Sequence, residues 1–285
     1  KNYEAINPFV SSTTDSLNRL KPGYEAPVCI VTSLGHSPAE PSRNRTILIG
    51  LVRDAKSALA TRFELRAPNP KTNTYLVLAA AYMAMLDGIK AALTAEKTPK
   101  ELEASLSKKY GEEDFYLEKD REYRSERDVF EDFTEEERQK LFGRAPATVW
   151  ENLQGFADYP EKVAAISGEG VITPISLESY KDSILSQWKT ELHNRIIPNY
   201  MGEVRECVRL HGEDATDYDI DNWLEIQRLR VHIAKNSLKA KCLLSRAAEA
   251  LDNNDFALAS DLQIELSQKM ELLRARYLNY KRNLF

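Results

Sequence analysis

The C-terminal part of the chain, residues 176–285, has a helical hydrophobic period almost throughout, and this constrains the fold more than any other sequence feature. Apolar residues recur three or four positions apart with little Gly or Pro between them. We predict three long amphipathic helices that form a hairpin or small bundle. Pro198 should end the first, Asp219 or Asp221 should cap the second, and the turn Asn253–Asp255 should precede the third.

The predicted inward-facing residues of these helices are Leu177, Tyr180, Ile184, Trp188 and Leu192; then Trp223, Ile226, Leu229, Ile233, Leu238 and Cys242; then Leu258, Leu262, Leu266, Met270, Leu273 and Tyr277.

The first 105 residues contain short β-rich runs instead. Strands are predicted at 28–33, 46–52 and 61–67, followed by a helix over 75–93 with Asn73 or Thr74 as its N-cap. Apolar residues nearly encircle this helix, which favours a core position. The fold class predicted is α+β, with antiparallel strands and packed helices, followed by an all-helical extension. The predicted domain boundaries are 1–105, 106–175 and 176–285.

Composition excludes several classes of protein. Three Cys residues, at 29, 207 and 242, cannot form a disulfide framework and favour a reducing, cytosolic setting. A net charge of -5 argues against binding to nucleic acid. The apolar run 75–86 is shorter than the roughly 18–20 residues of a bilayer span, so no membrane association is expected.

The middle region, 106–175, is strongly charged. Acidic residues dominate between 111 and 137, with aromatic residues interleaved. This pattern is typical of a solvated helix-and-loop segment that connects two domains. A subunit contact and a regulatory loop remain alternatives.

The third predicted strand has an unusual charged face. Arg62, Glu64 and Arg66 alternate with apolar residues, so a carboxylate lies between two guanidinium groups on one face, at steps of about 7 Å. One interpretation is a surface ion-pair ladder, which contributes little to stability. The other is an anion site with a metal ligand, because Arg binds phosphate and carboxylate groups and Glu binds Mg²⁺.

Two other segments favour the second interpretation. Arg43 and Arg45 precede a predicted strand, and the turn-forming loop 19–27 has Glu25 as its one acid. Cations from separate segments and one loop carboxylate are the groups needed to transfer a phosphoryl group onto a carboxylate, because positioning and charge neutralisation supply most of that catalysis.

Five motifs in the same order resemble the second half of the glutamine synthetase catalytic domain, over residues 7–90. They are Asn7-Pro8 with Asn18-Arg19-Leu20; Pro22-Gly23-Tyr24-Glu25-Ala26-Pro27; Arg43-Asn44-Arg45-Thr46; Phe63-Glu64-Leu65-Arg66-Ala67-Pro68; and Asn73-Thr74-Tyr75-Leu76 continuing to Leu86-Asp87-Gly88-Ile89-Lys90. The resemblance implies the glutamine synthetase/guanido kinase-like fold and a bacterial-type helical C-terminal extension.

The resemblance also implies a reaction: the glutamate side chain attacks ATP to form γ-glutamyl phosphate, and ammonia displaces phosphate. The implied partners are glutamate, ammonia and ATP, with Mg²⁺ or Mn²⁺. The implied site residues are Arg19 and Arg66 for glutamate; Glu25 as the flap acid that covers the acyl phosphate and helps deprotonate ammonium; Arg45 facing the transferred phosphoryl group; Arg62 near the nucleotide phosphates; and Glu64 as a metal ligand.

The chain departs from the family in several places. Gly50 occupies a position where many members of the family have Arg, and the nearest cationic residue in the sequence is Arg53. The loop before Arg43 is also longer than in shorter relatives. The upstream metal and nucleotide motifs of the family do not occur, and the four His residues match none of them. We therefore expect a C-terminal fragment that is inactive alone. The family implies a ring-shaped homo-oligomer, and the amphipathic pattern of the tail helices leads to the hypothesis that they mediate contacts between subunits or rings.

Three further possibilities remain open. Tyr116 lies roughly where some bacterial members carry an adenylylated tyrosine, although the surrounding residues match poorly and favour an ordinary tyrosine. The reaction could use a larger amine in place of ammonia. The chain could also be a catalytically silent homologue with a structural or regulatory role, which Gly50 supports and the retained charged residues oppose.

Overall fold

The computed structural model describes residues 1–18, 20–21, 30–37, 40–42, 44–54 and 56–283. These residues form two compact units, Lys1–Ile184 and Leu185–Phe285.

The first unit contains a small sheet and several helices. Its elements are α1 Tyr3–Val10, α2 Thr14–Asn18, β1 Thr32–Ser33, β2 Ile49–Val52, a 3₁₀ turn Ala58–Ala60, β3 Arg62–Leu65, α3 Thr74–Thr94, α4 Pro99–Leu106, α5 Glu135–Phe142, α6 Val149–Asp158, α7 Pro160–Ile166 and a 3₁₀ turn Gly168–Gly170. α8 Pro174–Glu191 leads from this unit into the second.

The second unit is helical in its described part. Its elements are a π-helical segment Leu192–Ile196, α9 Ile197–Glu206, α10 Asp217–Ala234, α11 Leu243–Asp252 and α12 Phe256–Asn283. The protein is therefore a helix-rich α and β molecule, as predicted at the level of fold class.

The described sheet has the strand order β1-β2-β3. β2 and β3 are antiparallel, as predicted, but β1 and β2 are parallel, so the prediction of an antiparallel sheet was wrong for that pair. A parallel pair needs a connection of about a dozen residues or more. The segment 34–48 between the two strands is long enough to provide it.

Helix α3 begins where the sequence predicts. The side-chain oxygen of Asn73 accepts hydrogen bonds from the backbone amides of Tyr75 at 3.1 Å and Leu76 at 3.2 Å, which confirms it as the N-cap. The predicted core position was wrong. α1 and α7 cover one side of the helix, and the side chains buried there are Val77, Ala80 and Met83.

The opposite side of α3 is an exposed apolar face, formed by Tyr75, Leu78, Tyr82, Met85, Ile89 and Leu93. Tyr75 is 87% exposed and Leu93 is 74% exposed. Among the described residues, α3 is also the one helix long and apolar enough to cross a membrane, by length and composition alone. The apolar helix is therefore longer than the twelve-residue run 75–86 on which the prediction of no membrane span depends.

The core of the first unit forms where α1 meets α6 and α7. Phe9 of α1 packs against Phe156 and Tyr180, with ring centroids 5.1 and 4.9 Å apart. The charged middle region is less solvated than predicted, because it buries Tyr123 and Val129 against this unit. Apolar residues spaced irregularly in a loop give no periodic signal, so the sequence pattern does not reveal them.

The tail departs from prediction in its helix boundaries. Pro198 does not end the helix. It lies in the first turn of α9, directly after the π-helical segment, whose altered hydrogen-bond pattern lets the helical backbone continue past a residue without an N–H. The N-cap of α10 is Thr216, in a capping box with Asp219, and not Asp219 or Asp221 themselves. The third predicted helix does follow the turn at Asn253–Asp255.

Most predicted core residues of the tail are buried, including Ile226, Ile233, Leu262 and Met270. Leu238 is an exception that is fully exposed, since α10 ends at Ala234. The other clear exception is Leu258, which is 42% exposed in α12.

Candidate functional site

The candidate residues that the structure describes lie on one face of the sheet and at its edge. The Nη1 atom of Arg66 is 3.5 Å from the Oε2 atom of Glu64, and its Nε atom donates a hydrogen bond of 3.2 Å to the backbone carbonyl of Arg45. The structure thus joins β3 to the segment that precedes β2. The Arg66 side chain is 15% exposed and that of Glu64 is 49% exposed, so the carboxylate is open to a ligand while the guanidinium is largely enclosed.

Gly50 lies directly opposite Glu64 in the β2–β3 pair. Because opposite residues of an antiparallel pair share a face, a side chain at position 50 would stand beside the Glu64 carboxylate. Gly50 therefore places no charged side chain beside Glu64. Since β2 ends at Val52, the strand register does not bring Arg53 to that position.

Arg62 lies at the start of β3, opposite Val52. Its guanidinium donates a 3.2 Å hydrogen bond to the carbonyl of Ala60, in the 3₁₀ turn that precedes the strand. Arg62 is exposed and shares the face of Glu64 by strand alternation. The described site thus consists of Arg45, Arg62, Glu64 and Arg66.

Three candidate residues, Arg19, Glu25 and Arg43, lie outside the described residues. The roles that the resemblance implies for Arg19 and Glu25 remain predictions.

The described part of the chain contains no group of three His, Cys, Asp or Glu side chains that could hold a metal ion. Mg²⁺ is usually bound by one or two carboxylates together with substrate phosphates. The exposed Glu64 carboxylate fits the role of a single protein ligand.

One group that the sequence analysis missed binds the start of the loop that connects β1 to β2. Glu126, in the charged middle region, accepts hydrogen bonds from the backbone amides of Leu34 and Gly35. Burial alone would raise the pKa of Glu126, but hydrogen bonds from these amides, from Ser33 and from Arg124 hold the pKa below its ordinary value. Position 126 carries no periodic or motif signal, which is why sequence reasoning did not find it.

Tyr116 is half-buried and its hydroxyl donates a 2.6 Å hydrogen bond to Asp87 of α3. Burial, followed by this bond and the charge of Asp87, raises the pKa of Tyr116. The side-chain amide of Asn2 also donates to Asp87, at 2.8 Å. These contacts give Tyr116 a structural role. The sequence favours an ordinary tyrosine over an adenylylated one, and mass spectrometry of the natively expressed protein tests that prediction.

A cavity of about 280 Å³ lies elsewhere, between α1 and α6. Asn7, Arg144, Glu151 and Asn152 are among its lining residues. None of the candidate site residues that the structure describes lines it.

Comparison with known proteins agrees with the motifs. Residues 1–115 match the family model described as the glutamine synthetase catalytic domain. Glutamine synthetases from Salmonella typhimurium and Escherichia coli K12 are each 44% identical over 90 residues, which is 32% of this chain and 17% of the relative. The enzyme from Clostridium saccharobutylicum is 41% identical over 106 residues, or 37% of this chain and 21% of the relative.

The chain therefore spans only about a fifth of the length of the curated relatives it matches. The matched segment contains the described residues Arg45, Arg62, Glu64 and Arg66. Residues 1–115 of this chain are therefore similar to a segment of the glutamine synthetase catalytic domain.

Proposed function

We propose that the chain contributes the cationic side of a site that ligates ammonia to glutamate with ATP, through γ-glutamyl phosphate. The observation that carries the proposal is Arg66, which lies between the Glu64 carboxylate and the Arg45 carbonyl. This arrangement brings two segments together in a region that matches the glutamine synthetase catalytic domain.

The side chains have distinct roles in this proposal. The fork of Arg66 binds a carboxylate of glutamate, because a guanidinium can donate two parallel hydrogen bonds to it. Arg45 and Arg62 neutralise charge on the transferred phosphoryl group and on the nucleotide phosphates. Glu64 supplies one oxygen ligand to Mg²⁺ or Mn²⁺, which when bound would offset negative charge on those phosphates. Arg19 and Glu25 are assigned to glutamate binding and to covering the acyl phosphate.

The same proposal requires more of the catalytic domain than residues 1–285 provide. Its support is the short coverage of the relatives together with the exposed apolar face of α3, which lies within the matched segment. Exposed apolar patches of this kind usually mark a contact surface. We accordingly expect no glutamine synthesis by residues 1–285 alone.

The test uses a chimera in which residues 1–285 replace the matching segment, and everything after it, in the Escherichia coli relative. With ATP, Mg²⁺, glutamate and ammonia, the chimera should form glutamine, and residues 1–285 alone should not. A folded chimera without activity would contradict the ligase proposal. Activity of residues 1–285 alone would contradict the proposal that further sequence is required.

In the active chimera, Arg66→Lys is expected to lower kcat/KM for glutamate about tenfold, since Lys keeps the charge but loses the two-pronged donor. Initial rates at varied glutamate concentration measure the effect. Arg144→Lys is the matched control, because Arg144 is an exposed arginine of the same unit and lies away from the site. Equal rates for both variants would remove Arg66 from glutamate binding.

A catalytically silent homologue is a second candidate, favoured by Gly50 opposite Glu64. If the missing cation inactivates the site, Gly50→Arg should raise activity in the chimera. An added Cβ would meet Ile47 Cδ1 at 3.3 Å, a contact that a small shift of the Ile47 side chain relieves. An active chimera without this substitution would contradict the silent-homologue interpretation.

We also propose that the assembled protein is a cytosolic homo-oligomer, in line with the ring expected from the resemblance. Sedimentation of the chimera should give a multiple of its monomer mass. A monomer at assay concentration would contradict this part of the proposal.

A further inference from the structure

The segment 123–129 of the charged middle region lies along the edge of the sheet, beyond the part of the chain that matches the family model. Thr32 of β1 forms a parallel bridge with Arg124. The Thr32 amide donates to the Tyr123 carbonyl at 2.7 Å, and the Ser125 amide donates to the Thr32 carbonyl at 3.1 Å. The segment therefore continues the sheet next to β1.

From this edge, Glu126 binds the start of the β1–β2 loop. One carboxylate oxygen accepts from the Leu34 amide at 3.1 Å, and the other accepts from the Gly35 amide at 3.0 Å. The Ser33 hydroxyl also donates to Glu126, and Arg124 donates to Glu126 at 3.2 Å and to the Gly35 carbonyl at 3.0 Å. Hydrogen bonds to an ionised group are the stronger class of hydrogen bond.

The loop folds back tightly at this point. Gly35 has φ +79°, in the left-handed region, and an added Cβ would lie 2.6 Å from the Glu40 carbonyl oxygen and 2.7 Å from the Ser42 nitrogen. The Ser33 hydroxyl, whose one proton goes to Glu126, accepts a hydrogen bond from the Ser42 hydroxyl. Glu126 thus holds both the exit from β1 and, through Ser33, the returning end of the loop.

The same segment binds the residues on both sides of Arg45. The side-chain amide of Asn44 donates to the Arg127 carbonyl at 2.6 Å, and the Val129 amide donates to the Thr46 hydroxyl at 2.9 Å. The Thr46 hydroxyl and amide in turn donate to the Asn44 side-chain oxygen. Arg45 is therefore flanked by two attachments to a segment about 80 positions later in the chain.

We propose that Glu126 is a positioning residue, and that through the segment 123–129 it fixes the loop that places Arg45 beside Arg66. The functional half of this inference depends on the proposed role of Arg45 in ligation. Its physical basis is that hydrogen bonds to Leu34, Gly35, Asn44 and Thr46 restrict the described backbone on both sides of Arg45, which without them would sample more conformations. The carbonyl of Arg45 also accepts from Arg66, so a shift of the loop moves both groups.

The structural half is tested on residues 1–285 by hydrogen–deuterium exchange of Glu126→Gln. This change keeps the side-chain shape and removes the charge. We expect the Leu34 and Gly35 amides to exchange about tenfold faster, while α6 and α7 exchange as in the wild type. Glu131→Gln, an exposed acid of the same region, is the matched control and should change nothing. Unchanged exchange at Leu34 and Gly35 would overturn the proposal.

The functional half is tested in the chimera. Glu126→Gln should lower kcat three- to tenfold with little change in KM for glutamate, and Glu126→Asp should recover part of the loss. Because a partly unfolded sample also loses apparent kcat at unchanged KM, kcat is expressed per folded molecule, with the folded fraction measured by circular dichroism. Faster exchange with unchanged kcat would show that Glu126 holds the loop without positioning Arg45. An inactive wild-type chimera would contradict the functional half together with the ligase proposal, whereas the exchange result stands independently.

Discussion

Lys162→Met is expected to lower the free energy of unfolding of residues 1–285 by about 3 kcal/mol, near the lower end of the cost of breaking a buried ion pair. Lys162 of α7 is 1% exposed, and its Nζ atom is 2.8 Å from carboxylate oxygens of both Glu4 and Glu118. Met has a similar length and no charge, so the variant keeps the packing and leaves two partly buried carboxylates without their cation. Because Glu118 is partly exposed, we expect a loss of stability near the lower end of the range for buried ion pairs.

Urea unfolding monitored by circular dichroism measures this change. Lys181→Met is the matched control, because Lys181 makes a surface pair with Glu178 whose loss should cost less than about 1 kcal/mol. Equal unfolding midpoints for the two variants would contradict a stabilising role for the buried pair.

The Lys162 effect should also depend on pH. Burial alone would raise the pKa of Glu118, but the hydrogen bond and charge of Lys162 lower it below the ordinary value. A carboxyl group with a lowered folded-state pKa contributes stability above its unfolded pKa and loses it as pH falls through the folded value. The difference between wild type and Lys162→Met should therefore shrink on the acid side of the ordinary Glu pKa. A difference that grows on acidification would contradict the assignment.

Gly155→Ala is expected to destabilise the first unit by about 2–3 kcal/mol, the upper part of the range for overpacking a well-packed contact. A Cβ at position 155 of α6 would lie 2.5 Å from the backbone oxygen of Glu4 in α1. Neither atom belongs to a flexible side chain, so the two helices would have to separate. Pro8, four residues after Glu4, has no N–H to donate to that oxygen, which leaves it facing the neighbouring helix.

Gly202→Ala is the control for this substitution. Gly202 lies within α9, and an added Cβ would have no neighbour within 4 Å. Replacing an unconstrained helical Gly by Ala should stabilise the protein by about 0.5–1 kcal/mol. Thermal unfolding should therefore shift in opposite directions for the two variants. Shifts of the same sign would show that helix propensity, and not the α1–α6 contact, governs position 155.

Local signals predicted local structure well. Asn73 caps α3 as expected, because the side chain and the amides it satisfies are two or three residues apart. The turn at Asn253–Asp255 likewise separates α11 from α12 as expected. Each of these features depends on neighbouring residues only.

Predictions that depended on what surrounds an element were less successful. α3 is apolar on all sides, and its sequence does not say which side has a neighbour in this chain. Pro198 signals the end of a helix in isolation, yet the π-helical segment before it lets the chain continue. Leu238 continues the helical spacing of α10, but the helix ends before reaching it.

The sequence by itself determined that Arg62, Glu64 and Arg66 share one face, because alternation is a property of any extended backbone. Only the tertiary structure decided that the Arg45 carbonyl meets Arg66 and that Glu126 binds the loop after β1. The physical reason is that these hydrogen bonds join residues about 20 and 90 positions apart. The path of the folded chain brings such residues together. The spacing of side chains along one strand or helix does not predict that path.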